Sequence, residues 1–178
     1  MSSSSLEPQT KYDVYLSSRE DTRKNFTSHL HAALCQNGIQ TFFDVDVLKK
    51  GMDISLELLK VIEDSRCSIV ILSNEYASSS WCLNELVKIV ECMTTSGQIV
   101  IPIFYQVDPS VVRNQTGRYE EAIRQHEQHH RNDSEKLQSW RAALTRVASL
   151  AGREVRDDTD EPSLIQDVVV AISEKLRS

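Results

Sequence analysis

The chain has 178 residues, of which 40% are apolar and 26% charged, enough for one domain with a proper core. A net charge of −6 argues against broad nucleic-acid binding, which needs clustered positive charge to displace counterions. No apolar run approaches membrane-spanning length, so no membrane partner is expected. Met1-Ser2-Ser3-Ser4-Ser5 lacks the basic-then-apolar order of a secretory signal, and residues 1–10 are expected to be a disordered tail before a domain at 11–178. Cys35, Cys67, Cys82 and Cys92 form no C-x-x-C pair, and three lie in apolar-periodic segments, which points to reduced thiols in a cytosolic setting. His126, His129 and His130 share a helix face, but their Glu-Gln and Arg-Asn-Asp neighbours read as solvated surface, so no metal site is expected.

Residues 12–16 predict the first strand, followed by a polar loop at 17–22. Phe26, Leu30, Ala33 and Leu34 mark an amphipathic helix that stops at Asn37-Gly38. Residues 39–43 read as a second strand and 44–51 as a charged loop; Ile54, Leu58, Val61 and Ile62 then give the next helical stripe. The continuous apolar run 67–72 reads as a strand buried on both faces. A helix from Trp81 to about Met93 follows, and then a strand at 99–105, whose Pro102 lacks an amide donor and favours a place near an edge or bulge. Residues 107–110 open a turn and 114–117 continue an irregular stretch, with a short helix around 119–126. A helix from about Ser134 turns Leu137, Trp140, Leu144, Val147 and Ala148 inward; 153–156 is a poor strand candidate. The last helix is capped by Thr159 or Asp160, with Pro162 in its first turn and Leu164, Ile165, Val168, Val169 and Ile172 on its core face.

This alternation predicts an α/β, flavodoxin-like three-layer sandwich: a five-stranded parallel sheet with helices on both faces. Ligands of such sheets collect outside the carboxyl ends of the strands. The loops 17–22, 44–51 and 73–80 all open on that rim.

The segment 78–86, Ser-Ser-Ser-Trp-Cys-Leu-Asn-Glu-Leu, starts the helix on this rim. Ser80 is the expected N-cap. Leu83, Leu86, Val87 and Val90 define one face, and Glu85 falls roughly 150° from its centre at about 100° per residue. Trp81 and Cys82, four and three residues earlier, adjoin Glu85 on the helix surface. An exposed Trp beside an acid reads as a site; the alternative is a solvated carboxylate next to a Trp that covers the core edge. Phosphate-binding glycine motifs and the G-x-S-x-G elbow are absent from the sequence. A receiver-like acidic pocket does not fit, because Asp44 and Asp46 follow the second strand and 67–72 runs into Ser73. A lone Glu85, an aromatic, and loops carrying Arg19 and Asp46 suit cleavage at a sugar carbon bearing a good leaving group, such as a positively charged nicotinamide.

Several motifs in order resemble the plant TIR (Toll/interleukin receptor) domain of intracellular nucleotide-binding, leucine-rich-repeat immune receptors. They are Lys11-Tyr12-Asp13-Val14-Tyr15-Leu16-Ser17, Glu20-Asp21-Thr22-Arg23, Ser79-Ser80-Trp81-Cys82-Leu83-Asn84-Glu85-Leu86 and Phe104-Tyr105-Gln106-Val107-Asp108-Pro109-Ser110. The resemblance implies self-association with other TIR domains, and hydrolysis of NAD+, as substrate and not cofactor, to nicotinamide and ADP-ribose products in defence and cell-death signalling. It implies a cytoplasmic and nuclear location. It makes Glu85 the catalytic residue. It places Ser18, Arg19, Asp46, Trp81 and Cys82 on the substrate side, Cys82 through a separate cyclic-nucleotide-producing activity. Ser28 and His29 match one self-association surface, and Gly117 lies near a second. The chain departs from the family where plant members read Ser-Phe-Arg-Gly-Glu-Asp-Thr-Arg: Ser18 replaces the Phe, and no Gly stands between Arg19 and Glu20. It departs again where Arg153 follows Gly152 in place of the usual Trp. The shortened loop keeps a second reading open, a non-catalytic oligomerisation module.

Overall fold

A computed structural model describes residues 12–43 and 56–177. The strands are β1 (Val14–Ser17), β2 (Thr41–Phe43), β3 (Cys67–Leu72), β4 (Ile99–Tyr105) and β5 (Arg153–Val155). All pair in parallel, in the order β2-β1-β3-β4-β5. The helices are α1 (Ser28–Gln36), α2 (Leu56–Asp64), α3 (Ser80–Ser96), α4 (Pro109–Asn114), α5 (Gly117–His129), α6 (Ser134–Ala148) and α7 (Glu161–Arg177). A helical turn at Glu20–Thr22 and a π-helical segment at Arg23–Thr27 lead into α1.

The three layers follow from the two-residue period of the strands. Val14, Leu16, Cys67, Ile69, Ile71, Ile101 and Ile103 face α1 and α7 across one core. Tyr15, Val70, Leu72, Val100 and Phe104 face α2, α3, α5 and α6 across the other. Strand order reverses direction between β1 and β3, and the ends of these two strands flank the crevice where ligands of open α/β sheets bind. Among the described residues no helix is long and apolar enough to cross a membrane.

Two segments are more regular than the turn expected from residue 107 and the poor strand candidate at 153–156 suggest. Residues 109–114 form α4, because Asp108 is an N-cap whose Oδ1 accepts from the Ser110 amide at 2.8 Å, and Pro109 occupies the first turn. Residues 153–155 form β5, paired with Ile103, Phe104 and Tyr105 and anchored by fully buried Val155. Gly152 makes the approach possible: a Cβ there would lie 2.2 Å from the Pro102 carbonyl oxygen. Pro102 sits one position before β5 begins, where β4 has β3 on one side only.

Candidate functional site

Helix α3 begins one residue earlier than its sequence suggests. Ser79, not Ser80, is the N-cap: its Oγ accepts from the Cys82 amide at 3.1 Å, and Ser80 is the first helical residue. The expectation that Trp81 and Glu85 are exposed is also corrected. Trp81 is 6% exposed and Glu85 1%. The buried face of α3 carries Trp81, Cys82, Leu83, Glu85, Leu86, Ile89 and Cys92, whereas Val87 and Val90 are only half-buried. Including Cys82, Ile89 and Cys92 swings the centre of that face, so that Glu85 lies roughly 30° from it.

The Glu85 carboxylate is held at both oxygens. Ser17 Oγ donates to Oε1 at 2.7 Å, and Trp81 Nε1 donates to Oε2 at 2.7 Å. Ser17 is the last residue of β1, so Glu85 is pinned at the sheet's reversal point. Tyr76 OH lies 2.8 Å from Ser17 Oγ and 3.2 Å from the Cys82 carbonyl. Ser17 has one hydroxyl proton and spends it on Glu85, so the single Tyr76 proton is shared between two acceptors, Ser17 Oγ and the Cys82 carbonyl. The result is a directed chain, Tyr76 to Ser17 to Glu85. Burial pushes the Tyr76 hydroxyl well above its ordinary value, and the neighbouring Cys82 and Glu85 push it the same way, which keeps Tyr76 a neutral donor. Such a chain is worth more in a dry interior than its bonds would be in water.

The loop after β1 is tied down beside this group. Cys82 Sγ lies 3.6 Å from the Ser18 carbonyl, and both residues are buried. Ser73 Oγ, after β3, donates to Asp21 Oδ1 at 2.7 Å, and Tyr119 OH donates to the Ser73 carbonyl at 2.5 Å. Arg19 is half-buried, and its Nε is buried without a hydrogen-bond partner among the described residues.

Glu85, Trp81, Cys82 and Ser18 are therefore brought together, with Arg19 next in the chain. Asp46 and the rest of the 44–51 loop lie outside the described residues. Ser28 and His29 open α1, His29 exposed and Ser28 donating to the Asn25 carbonyl at 3.2 Å. Gly117, at φ +56°, opens α5 on the opposite side of the sheet. Ser17 and Tyr76 are site residues that sequence reasoning missed. No group of three or more metal-ligating side chains occurs among the described residues.

A family model for the TIR domain matches residues 11–178. TMV resistance protein N of Nicotiana glutinosa is 50% identical over 177 residues, 99% of this chain and 16% of that protein. Disease resistance protein RPV1 of Vitis rotundifolia is 48% identical over 177 residues, 99% of this chain and 12% of that protein. The chain thus spans less than a fifth of the length of these relatives. The TIR domains in the structure of the activated Roq1 resistosome directly recognizing the pathogen effector XopQ superpose with a TM-score of 0.84 at 48% identity, covering 90% of this chain and 99% of that one. The RPS4 and RRS1 TIR domain heterodimer matches at 22% identity, with a TM-score of 0.56 over 90% of this chain and 95% of that one, a likeness of fold. The chain belongs to the TIR domain family.

Proposed function

We propose that this chain is a plant immune-signalling TIR domain that works in the cytoplasm and nucleus, associates with other TIR domains, and hydrolyses NAD+ to nicotinamide and ADP-ribose. The observation that carries the reading is Glu85, an acid buried at the sheet's reversal point and oriented by Ser17 and Trp81. In the proposed reaction the bond from ribose C1′ to the nicotinamide nitrogen breaks. Its electron pair neutralises the pyridinium, so the leaving group needs no acid. Glu85 stabilises the positive charge that develops at C1′, water adds there, and one proton is released. The unpartnered Arg19 Nε is a donor available to a phosphate or hydroxyl oxygen. The test is nicotinamide release from NAD+ by the concentrated chain under crowding. Release that disappears in Glu85→Gln supports the reading. No release by wild type, where another TIR domain releases nicotinamide under the same conditions, refutes it.

Two observations favour a second reading, a non-catalytic oligomerisation module. Glu85 is 1% exposed with both oxygens engaged, and the loop beside it is one residue short of the family pattern. That reading expects Ser28→Ala with His29→Ala to abolish cell-death signalling, and Glu85→Gln to leave it intact. An intact response in the double variant refutes it.

A further inference from the structure

Away from Glu85, a cavity of about 440 Å³ opens where α3, α5 and α6 meet. Ser80, Asn84, His126, His129, His130 and Lys136 line it, and no carboxylate among the described residues does. Its size is that of a small-molecule pocket. In a chain of net charge −6, a cavity that carries a lysine and several hydrogen-bond donors favours an anion.

The hydrogen bonds that each lining group already makes show what it has left to offer. Asn84 Oδ1 accepts from Trp140 Nε1 at 3.1 Å, which leaves the two Nδ2 hydrogens for another acceptor. His126 Nε2 donates to the Ala77 carbonyl at 2.8 Å and braces the wall. His129 Nδ1 donates to the Gln125 carbonyl at 3.0 Å, so its Nε2 remains at the free end of the ring. His130 stands edge-on to Trp140, with ring centroids 5.4 Å apart, and Lys136 Nζ lies 5.7 Å from the Trp140 centroid. Arg118, Arg124 and Arg141 are each paired with a glutamate, and Lys88 with Glu63. Lys136 has no carboxylate partner among the described residues. The positive end of the 17-residue helix α3 also opens here, at Ser80.

We propose that this cavity binds a phosphate-bearing anion. Lys136 supplies the charge, His130 a ring N–H, and Asn84 Nδ2 and the Ser80 hydroxyl further directed hydrogen bonds, while Trp140 lies behind them against His126, His130 and Lys136. The site does not depend on NAD+ hydrolysis, because Glu85 is turned toward β1.

Inorganic pyrophosphate titrated into the ¹⁵N-labelled chain tests this, read at the Trp140 indole N–H, which touches Asn84 and neighbours His130 and Lys136. A saturable shift is expected. Lys136→Glu should weaken it about tenfold or more, the value of one charge-assisted hydrogen bond. His130→Ala should also weaken it, and Arg146→Glu on the outer face of α6 should leave it unchanged. No saturable shift in wild type, unchanged affinity in Lys136→Glu, or equal weakening in Arg146→Glu would overturn the proposal. Repeating the titration with ADP, and with vesicles containing a phosphoinositide, separates a nucleotide source from a lipid headgroup: the true source gives the same indole response with the same Lys136 dependence.

Discussion

Replacing Glu85 separates its structural role from any catalytic one, because its two donors differ in what they tolerate. Trp81 Nε1–H can only donate, so Glu85→Gln must turn its amide oxygen toward Trp81. The amide nitrogen then faces Ser17, whose oxygen accepts from it while its own proton turns to Tyr76, which donates to the Cys82 carbonyl. No proton is orphaned, but bonds to a carboxylate become bonds to a neutral amide, and the cost should be about 1 kcal/mol. Glu85→Ala is a different perturbation. Ser17 can redirect its proton to Tyr76, but the indole N–H of a 6%-exposed Trp81 is left with no acceptor. An orphaned buried donor costs about 1–3 kcal/mol, and the space vacated in a packed site adds roughly 1–2 more. With an m-value of about 2 kcal/mol/M in urea, a loss of about 3 kcal/mol lowers the midpoint by roughly 1.5 M, against roughly 0.5 M for Gln. Urea titration followed by far-UV circular dichroism measures both. Equal midpoints for wild type and Glu85→Ala would refute the reasoning, since the carboxylate would then not be the hub of the network. Glu85→Gln is accordingly the variant to use in nicotinamide-release assays, where a lost signal must not mean a lost fold.

Three further outcomes are expected. Gly152→Ala forces a Cβ to within 2.2 Å of the Pro102 carbonyl oxygen and 2.7 Å of its Cγ, so it should cost about 1–3 kcal/mol and detach β5. Faster exchange of the Gln106 amide, which donates to the Val155 carbonyl at 2.7 Å, reports this, and unchanged exchange counts against it. Burial holds His126 below its ordinary value near 6.5, outweighing the opposing pull of the Ala77 carbonyl. The unfolded chain therefore takes up that proton first, and stability present above about pH 6.5 is lost as pH falls through the folded value. The urea midpoint of His126→Gln should fall less steeply below pH 6.5 than that of wild type, and identical slopes would be the contrary result. Cys35 is exposed while Cys67, Cys82 and Cys92 are buried, and burial pushes the Cys67 thiol up to about 12. A native thiol titration at pH 8 should thus show one fast-reacting cysteine and four in denaturant, and a second fast thiol would contradict the burial pattern.

Much of the fold was legible because parallel strands buried on both faces announce themselves as apolar runs; 67–72 and 99–105 match β3 and β4 residue for residue. β5 was not, since three residues with one buried Val carry no period, and the signal lay instead in Gly152 and its contact with Pro102. The cap at Asp108-Pro109 was available in local chemistry and went unused.

At the site, parity explains both the success and the failure. Placing Glu85 on the ligand rim needed only the order of elements. Finding its partner needed the end of β1, which is Ser17 and not Leu16. Tyr15 faces the core that holds α3, while Val14 and Leu16 face the other. With a period of two, a strand that continues to residue 17 must aim Ser17 at α3, whose helical face already presents Glu85. An error of one residue at a strand end is trivial for the fold, but here it hides the hydroxyl that orients the acid. The same error makes Glu85 look solvated, because a carboxylate is expected in water until a donor 68 residues away is known to meet it.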